Sequence, residues 1–187
     1  LRQAGIGRIN VSLDSLRPER FKQITGGNLA PVLDGLMAAK ATGYAPIKIN
    51  MLALKDINDD EFEDMVAFCL EHDFTLRFIE TMPVGSTGHS ASDHYLDLQT
   101  VRQRLEQSFD LLPGVMPGGG PARYVQVRGT DLRIGFITPI SQHFCATCNR
   151  VRLAVDGSLY LCLGQDHQYP LRPLLRRGIS DAGLRDA

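Results

Sequence analysis

The sequence predicts an α/β protein that changes style partway. Parallel β/α units come first, and a mostly antiparallel region of short strands follows. Three observations carry this. Strands and helices alternate from Ile6 to Glu80 in the order of parallel β/α units. From Leu111 onward the apolar runs shorten and are separated by turn residues such as Gly118-Gly119-Gly120-Pro121 and Asp156-Gly157, the latter a two-residue hairpin signal. Three of the four cysteines, Cys145, Cys148 and Cys162, fall in this later region with C-x2-C-x13-C spacing.

Ile6 to Leu13 has strand composition, and Asp14-Ser15 ends it. Pro18 suits a helix start and predicts a short helix from Glu19 to Ile24, followed by a turn at Thr25 to Asn28. Residues 31 to 42 form a second helix with Val32, Leu33, Leu36, Met37 and Ala39 on its apolar face, stopped at Gly43. Ile47 to Leu52 alternates as a strand. The polar stretch Asp56 to Asp60 caps a third helix, on which Phe62, Met65, Val66 and Cys69 follow the i, i+3, i+4, i+7 pattern of one buried face. Phe74 to Glu80 is the third strand. Pro83 to Asp93 reads as a loop of small and polar residues and marks a domain boundary, dividing the chain into 1–95 and 96–187. Leu98 to Leu105 is helical with Asp97 as its cap. Arg123 to Val127, Leu132 to Ile137, Val151 to Val155 and Leu159 to Leu163 are the short later strands, and Ser180 to Ala187 is expected to fray.

Parallel strands end at one edge of their sheet, where the ligands of such sheets bind. Ser12, Lys48 to Asn50, and Glu80 to Met82 therefore share one rim.

Hydrophobic residues make up 43% of the chain and charged residues 22%, which is the composition of a globular protein. A net charge of −1 gives no electrostatic case for binding nucleic acid. No apolar run approaches the length of a membrane span, and Leu1 to Gly5 lacks the apolar core of a signal peptide, so a cytoplasmic location is expected. Four cysteines in such a chain read as metal-binding or buried rather than as a disulfide framework.

Two thiolates three positions apart, with a third brought back by a hairpin, form a metal corner suited to zinc or to an iron–sulfur cluster. A structural zinc site would need a fourth protein ligand, and His143 or His167 could supply it. With three thiolates alone, one coordination position stays free. The plainer reading is three unrelated thiols. Cys69, on an apolar helix face, is a buried inert cysteine. Arg150 and Arg152 could grip phosphate or carboxylate, or be solvated strand arginines. Lys48, between Ile47 and Ile49, needs an anion if it points inward and none at an edge. Ser12 could be a turn hydroxyl only. His72, His89 and His94 have no ligand spacing, and Gly118 to Gly120 lacks the Lys-Ser/Thr of a phosphate loop.

The combination of Phe144-Cys145-Ala146-Thr147-Cys148-Asn149-Arg150-Val151-Arg152 with Leu161-Cys162-Leu163 closely resembles the GTP 3′,8-cyclase family of molybdenum-cofactor biosynthesis. Val11 to Leu16, Ile47 to Asn50, Arg77 to Glu80, and Met82 match that family in the same order, so the likeness runs from about Ile9 to at least Leu174. The resemblance implies a partial TIM-like (β/α) barrel of later strands followed by a C-terminal iron–sulfur domain. It implies a radical S-adenosylmethionine lyase with two [4Fe–4S] clusters that converts GTP to (8S)-3′,8-cyclo-7,8-dihydroguanosine 5′-triphosphate. The first cluster cleaves S-adenosylmethionine, and the second holds GTP through its open iron. Cys145, Cys148 and Cys162 match the second cluster's ligands. Lys48, Arg150 and Arg152 match GTP-binding positions, Ser12 and Met82 match S-adenosylmethionine contacts, and Asn50 is placed near the site.

Two departures stand out. The C-x3-C-x2-C motif of the first cluster is absent, and so is the family's Gly-Gly tail. The sequence corresponds to the middle-to-late part of such an enzyme, and the chain alone is expected to be inactive, with no catalytic residue assigned. An open barrel edge is expected to promote self-association. A non-catalytic zinc module, or a radical S-adenosylmethionine relative acting on another substrate, is the alternative.

Overall fold

The computed structural model describes the chain except residues 118, 119, 143, 146, 147, 149, 163, 165, 166 and 187, and it describes 85–87 and 89 by backbone alone. The expected turn at Gly118 to Gly120, the candidate ligand His143 and the side chain of His89 therefore lie wholly or partly outside the described residues. Two compact units are present, Leu1–Ala146 and Thr147–Ala187.

The first unit is built on a six-stranded mixed sheet. Strand β1 (Ile9–Ser12) leads through helices α1 (Pro18–Thr25) and α2 (Leu29–Ala41) to β2 (Ile47–Leu52). Helix α3 (Phe62–Glu71) then leads to β3 (Thr75–Ile79). After α4 (Gly85–Ser92) and α5 (Leu98–Ser108) come β4 (Leu111–Gly114), β5 (Arg123–Val127) and β6 (Arg133–Ile137). The strand order is β1-β2-β3-β6-β5-β4. Strands β1, β2, β3 and β6 run parallel, and β4 and β5 are antiparallel additions beside β6. The alternation of β/α units in the first half is thus realised. The later strands β4 to β6 continue that same sheet, because β6 pairs directly with β3.

Period-two burial sets the core. Ile47, Ile49 and Met51 of β2 are buried and alternate with half-exposed Lys48, Asn50 and Leu52. Leu76 and Phe78 of β3 and Ile134 and Phe136 of β6 continue the buried set. Helix α3 packs Phe62, Met65, Val66 and Cys69 against it, all at most 1% exposed, as the helical spacing predicts. Phe62 meets Phe78 edge-on at 5.2 Å between ring centroids. Side chains of this size each stabilise by about 1.5–3 kcal/mol when fully buried.

Several local expectations are corrected. Strand β1 is shorter than Ile6 to Leu13, with a 3-10 turn at Arg2–Ala4 before it. Asp56 to Asp60 does not cap α3: the cap position is Glu61, whose side chain turns away to Ser15 and Leu16, while Asp56 adopts a left-handed backbone. The stretch read as a loop contains α4, and it can pack closely because residue 88 is glycine; a Cβ there would collide with the carbonyl oxygen of Met82. Pro113 sits in β4, at the sheet edge where a missing N–H is tolerated. Asp97 does cap α5, accepting the Gln99 N–H at 2.8 Å.

The second unit is a three-stranded antiparallel sheet of β7 (Arg152–Leu153), β8 (Ser158–Tyr160) and β9 (Gln168–Pro170), then helices α6 (Leu171–Arg176) and α7 (Asp181–Asp186). Its strands are shorter than the sequence pattern suggested, and the tail expected to fray forms α7. The β7–β8 connection holds four residues, 154 to 157, rather than two. Gly157 supplies the left-handed position and donates to the Ala154 carbonyl. No described helix is long and apolar enough to cross a membrane.

Candidate functional site

The parallel strands deliver their C-terminal ends to one rim. Ser12, the last residue of β1, is exposed and lies in register with Asn50. Just beyond it, Asp14 Oδ1 accepts the Leu52 N–H at 2.7 Å. Asn58, fully buried, donates to the carbonyls of Asp14 and Leu52 at 2.7 and 2.8 Å and accepts the Leu54 N–H. This amide joins the loops after β1 and β2 into one rigid scaffold. Burial raises the Asp14 carboxyl pKa, and the Leu52 N–H partly offsets the rise.

A second carboxylate anchors the same region. Glu61, fully buried, accepts from Ser15 Oγ at 2.8 and 2.9 Å, from Leu16 N at 2.8 Å, and from Arg20 at 2.6 Å. It fixes the turn that follows Ser12. After β3, Glu80 is 1% exposed, and Met82 is half-buried with its carbonyl accepting the Val84 N–H.

The register also defines a polar sheet face. Lys48 pairs with Asn10 and Thr75, and Asn50 pairs with Ser12 and Arg77. Arg77 Nε donates to Asn50 Oδ1 at 2.8 Å. Arg77 in turn lies in register with Gly135, over which Tyr124 packs; a Cβ at Gly135 would stand 2.7 Å from the Tyr124 ring and 3.1 Å from the Arg77 stem. Burial raises the Tyr124 phenol pKa, against the opposing pull of the Arg77 charge. Lys48, Asn50, Arg77 and Tyr124 are each half-exposed. A pocket of about 580 Å³ around Pro46, Phe74 and Leu132 lies at the starts of the strands and contains none of the predicted site residues.

Cys145 and Cys148 are exposed, Cys162 is half-buried, and none is in a disulfide. The Cys162 sulfur accepts the Gly164 N–H at 3.4 Å. Free, accessible thiols are the donor chemistry that an iron–sulfur cluster or zinc requires. Among the described residues, no three His, Cys, Asp or Glu side chains are gathered as a metal-holding group. Arg150 is exposed, and Arg152 is exposed on β7 opposite Tyr160. His167 accepts the Leu161 N–H through its carbonyl. Cys69 is fully buried, and burial pushes its thiol pKa up to about 12, as befits an inert core cysteine.

The structure thus brings Ser12 and Asn50 together in register, places Lys48 on the same strand and face as Asn50, and sets Met82 just past the end of β3. Sequence reasoning gave no role to Tyr124 or to the scaffold residues Asp14, Asn58 and Glu61; it placed Glu80 on the rim and Arg77 in a family-matching segment without assigning either a contact. Arg77 was legible as an arginine alternating with apolar neighbours on a strand. The partners of Tyr124 and Glu80 come from distant segments and leave no local signal.

Comparison with known proteins adds a separate line. The family model described as Molybdenum Cofactor Synthesis C matches residues 74–187, and that of the Radical SAM superfamily matches residues 1–69. The chain is 47% identical to the GTP 3′,8-cyclase of Hydrogenovibrio crunogenus, over 99% of this chain and 57% of that protein. It is 49% identical to the GTP 3′,8-cyclase of Rhizobium meliloti, over 96% of this chain and 52% of that protein. It is 47% identical to that of Paracoccus denitrificans, over 100% of this chain and 55% of that protein. The chain therefore spans about half the length of the curated relatives it matches.

Proposed function

The chain belongs to the Molybdenum Cofactor Synthesis C family, and from that premise we propose that it serves molybdenum-cofactor biosynthesis as part of a radical S-adenosylmethionine GTP 3′,8-cyclase. The observation that carries this reading is the polar sheet face, where Lys48 and Asn50 stand on one face of β2 and Asn50 meets Arg77 of the neighbouring β3. A face of this kind suits a polyanionic nucleotide, because cationic side chains on a preformed surface meet phosphate without reorganisation.

The residues take these roles. Lys48, Arg150 and Arg152 hold the triphosphate, with the guanidiniums able to bind phosphate oxygens in pairs. Ser12 and Met82 contact S-adenosylmethionine at the rim, and the Asp14–Asn58 scaffold keeps Ser12 in place. Cys145, Cys148 and Cys162 hold a [4Fe–4S] cluster with one iron left open to the guanine base. When bound, the cluster would supply a Lewis-acidic anchor for the substrate, while the electron that cleaves S-adenosylmethionine would have to come from a first cluster whose ligand motif this sequence does not contain. The chain's own part is to bind and orient, so no side chain is assigned as a general acid or base.

The same proposal divides the chain into a barrel part, 1–95, and a cluster- and GTP-binding part, 96–187, in a cytoplasmic enzyme. Self-association through the sheet edge belongs to it as well: β1 is one of the two edge strands, and its Asn10 and Ser12 are exposed. Light scattering at rising concentration checks this part, and a strictly monomeric species removes it.

One observation favours the zinc alternative. The Leu161–His167 backbone bond sets His167 close in the chain fold to Cys162. Anaerobic reconstitution with iron and sulfide decides between the two. About four irons and four sulfides per chain, with a spectrum that GTP perturbs, are expected. In that loaded chain, Arg150→Ala with Arg152→Ala is expected to weaken GTP binding by about tenfold or more, with reduced salt dependence. One tightly held zinc per chain, lost in His167→Ala and indifferent to GTP, overturns the cyclase reading.

A further inference from the structure

Glu80 is an anionic side chain, 1% exposed, at the end of β3, and among the described residues no ion pair to it is recorded. Its carboxylate is occupied entirely by hydrogen-bond donors. Oε2 accepts the N–H groups of Ile140 and Ser141 at 2.9 and 3.0 Å. Oε1 accepts the Ser141 hydroxyl in a short bond, with Leu98 N–H and the Tyr95 hydroxyl at 3.5 Å. The Tyr95 phenol pKa is raised by burial first and by Glu80 next, so it stays a donor at neutral pH. Two backbone amides in succession, aimed at one oxygen, fix the path of the chain rather than a single side chain.

That path leads on directly from Ser141 to Cys145, and Glu80 itself lies two positions before Met82. We infer that Glu80 is a positioning residue whose buried carboxylate clasps the Ile140–Ser141 turn and so sets where the first cysteine of the cluster corner emerges relative to the strand-end rim. The inference rests on the cluster-binding reading of Cys145 given above. It assigns Glu80 no contact with substrate or cofactor.

A positioning role makes a distinctive demand. Glutamine should largely substitute, because its oxygen can face Ile140 and Ser141 while its amide donates to the two rotatable hydroxyls of Ser141 and Tyr95, and only the 3.5 Å contact with the Leu98 N–H loses its acceptor. Leucine should not, because both backbone N–H groups are left without an acceptor.

The test compares wild type, Glu80→Gln, Glu80→Leu and the core variant Val66→Ala, which lies on α3 away from the clasp. Hydrogen exchange of the 138–144 peptide in the metal-free chain reads the clasp, and iron release to a chelator after anaerobic reconstitution reads its consequence. Glu80→Leu is expected to exchange faster at Ile140 and Ser141 and to lose iron about tenfold faster, the usual scale for a residue supporting a metal ligand. Glu80→Gln should stay near wild type, and so should Val66→Ala even where it melts as low as Glu80→Leu. If Glu80→Leu does not fold, Glu80→Asp, one methylene too short to reach, takes its place.

Unchanged exchange in Glu80→Leu overturns the clasp. Faster exchange with unchanged iron release overturns the positioning role, as does equal iron loss in Val66→Ala. A wild-type chain that takes up no iron fails the cluster reading instead, while exchange still decides the clasp.

Discussion

The two units of this chain are stabilised in different ways. Among the described residues, every buried one lies between Leu13 and Thr138, in the unit Leu1–Ala146. That unit has a continuous core and two buried carboxylates, Glu61 and Glu80, each satisfied by several donors. The unit Thr147–Ala187 has a three-stranded sheet whose β7 and β9 residues are all exposed, and it has no buried residue among those described. A segment of that size cannot gain enough from apolar burial to offset its chain entropy, and small domains of this kind depend on metals, disulfides or partners. Two of the four thiols, Cys148 and Cys162, lie in this unit, and Cys145 is exposed at the end of the first. The contrast teaches that the first unit is organised by packing, whereas the described residues of the second show no core of their own.

Thiol chemistry draws this comparison most sharply. In the metal-free chain at pH 8, Cys145, Cys148 and Cys162 should alkylate readily, whereas Cys69, its pKa pushed up to about 12 in the core, should react roughly a thousandfold more slowly. Site-resolved mass spectrometry reads this directly. A Cys69 that labels with the others would mean that the first unit opens as easily as the second, and the comparison would break.

Core truncation gives the next largest effect. Phe78→Ala removes a fully buried ring that packs against Phe62 and Phe136, and it should cost about 3–5 kcal/mol in denaturant unfolding. The alkylation rates of Cys148 and Cys162 should not change, since the second unit does not share that core. A parallel rise in their reactivity would show the two units to be one cooperative body.

The smallest effect concerns the rim scaffold. Asp14 has a raised pKa in the fold, caused first by burial. A carboxyl whose folded pKa is raised contributes stability below its unfolded pKa, and that contribution is lost as pH rises through the folded value. Asp14→Asn keeps an oxygen for the Leu52 N–H and removes the buried charge. It should melt higher than wild type at pH 7, with the difference shrinking toward pH 4 and below. A variant that melts lower at pH 7 would show that the ionised carboxylate holds the loop after β1 more tightly than burial opposes it.

The comparison also explains what was legible in advance. The i, i+3, i+4, i+7 pattern of Phe62, Met65, Val66 and Cys69 located the α3 core face residue by residue, because helix geometry is local. Asp97 could be read as a cap for the same reason. Helix α4 could not: its packing needs Gly88 against the Met82 carbonyl, a contact that small polar residues do not announce. Of the site, the cysteines, arginines, Lys48 and Ser12 carried chemistry in their residue types. Glu80 and Asn58 did not, since a buried carboxylate or amide is defined by its donors and acceptors elsewhere in the chain.

The sequence by itself determined the parallel β/α order, the buried face of α3, the common rim of the strand ends and the thiol spacing, all of which follow from local periodicity and residue chemistry. Only the tertiary structure decided that β6 would join β3, so that β4 to β6 extend the first sheet, because strand pairing depends on segments far apart in the chain. The same long-range closure brought Ser141 to Glu80, 61 positions apart, and Asn58 to Asp14, 44 apart. Hydrogen-bond partners at such distances are chosen by the folded path of the backbone, and no pattern within either segment records the choice.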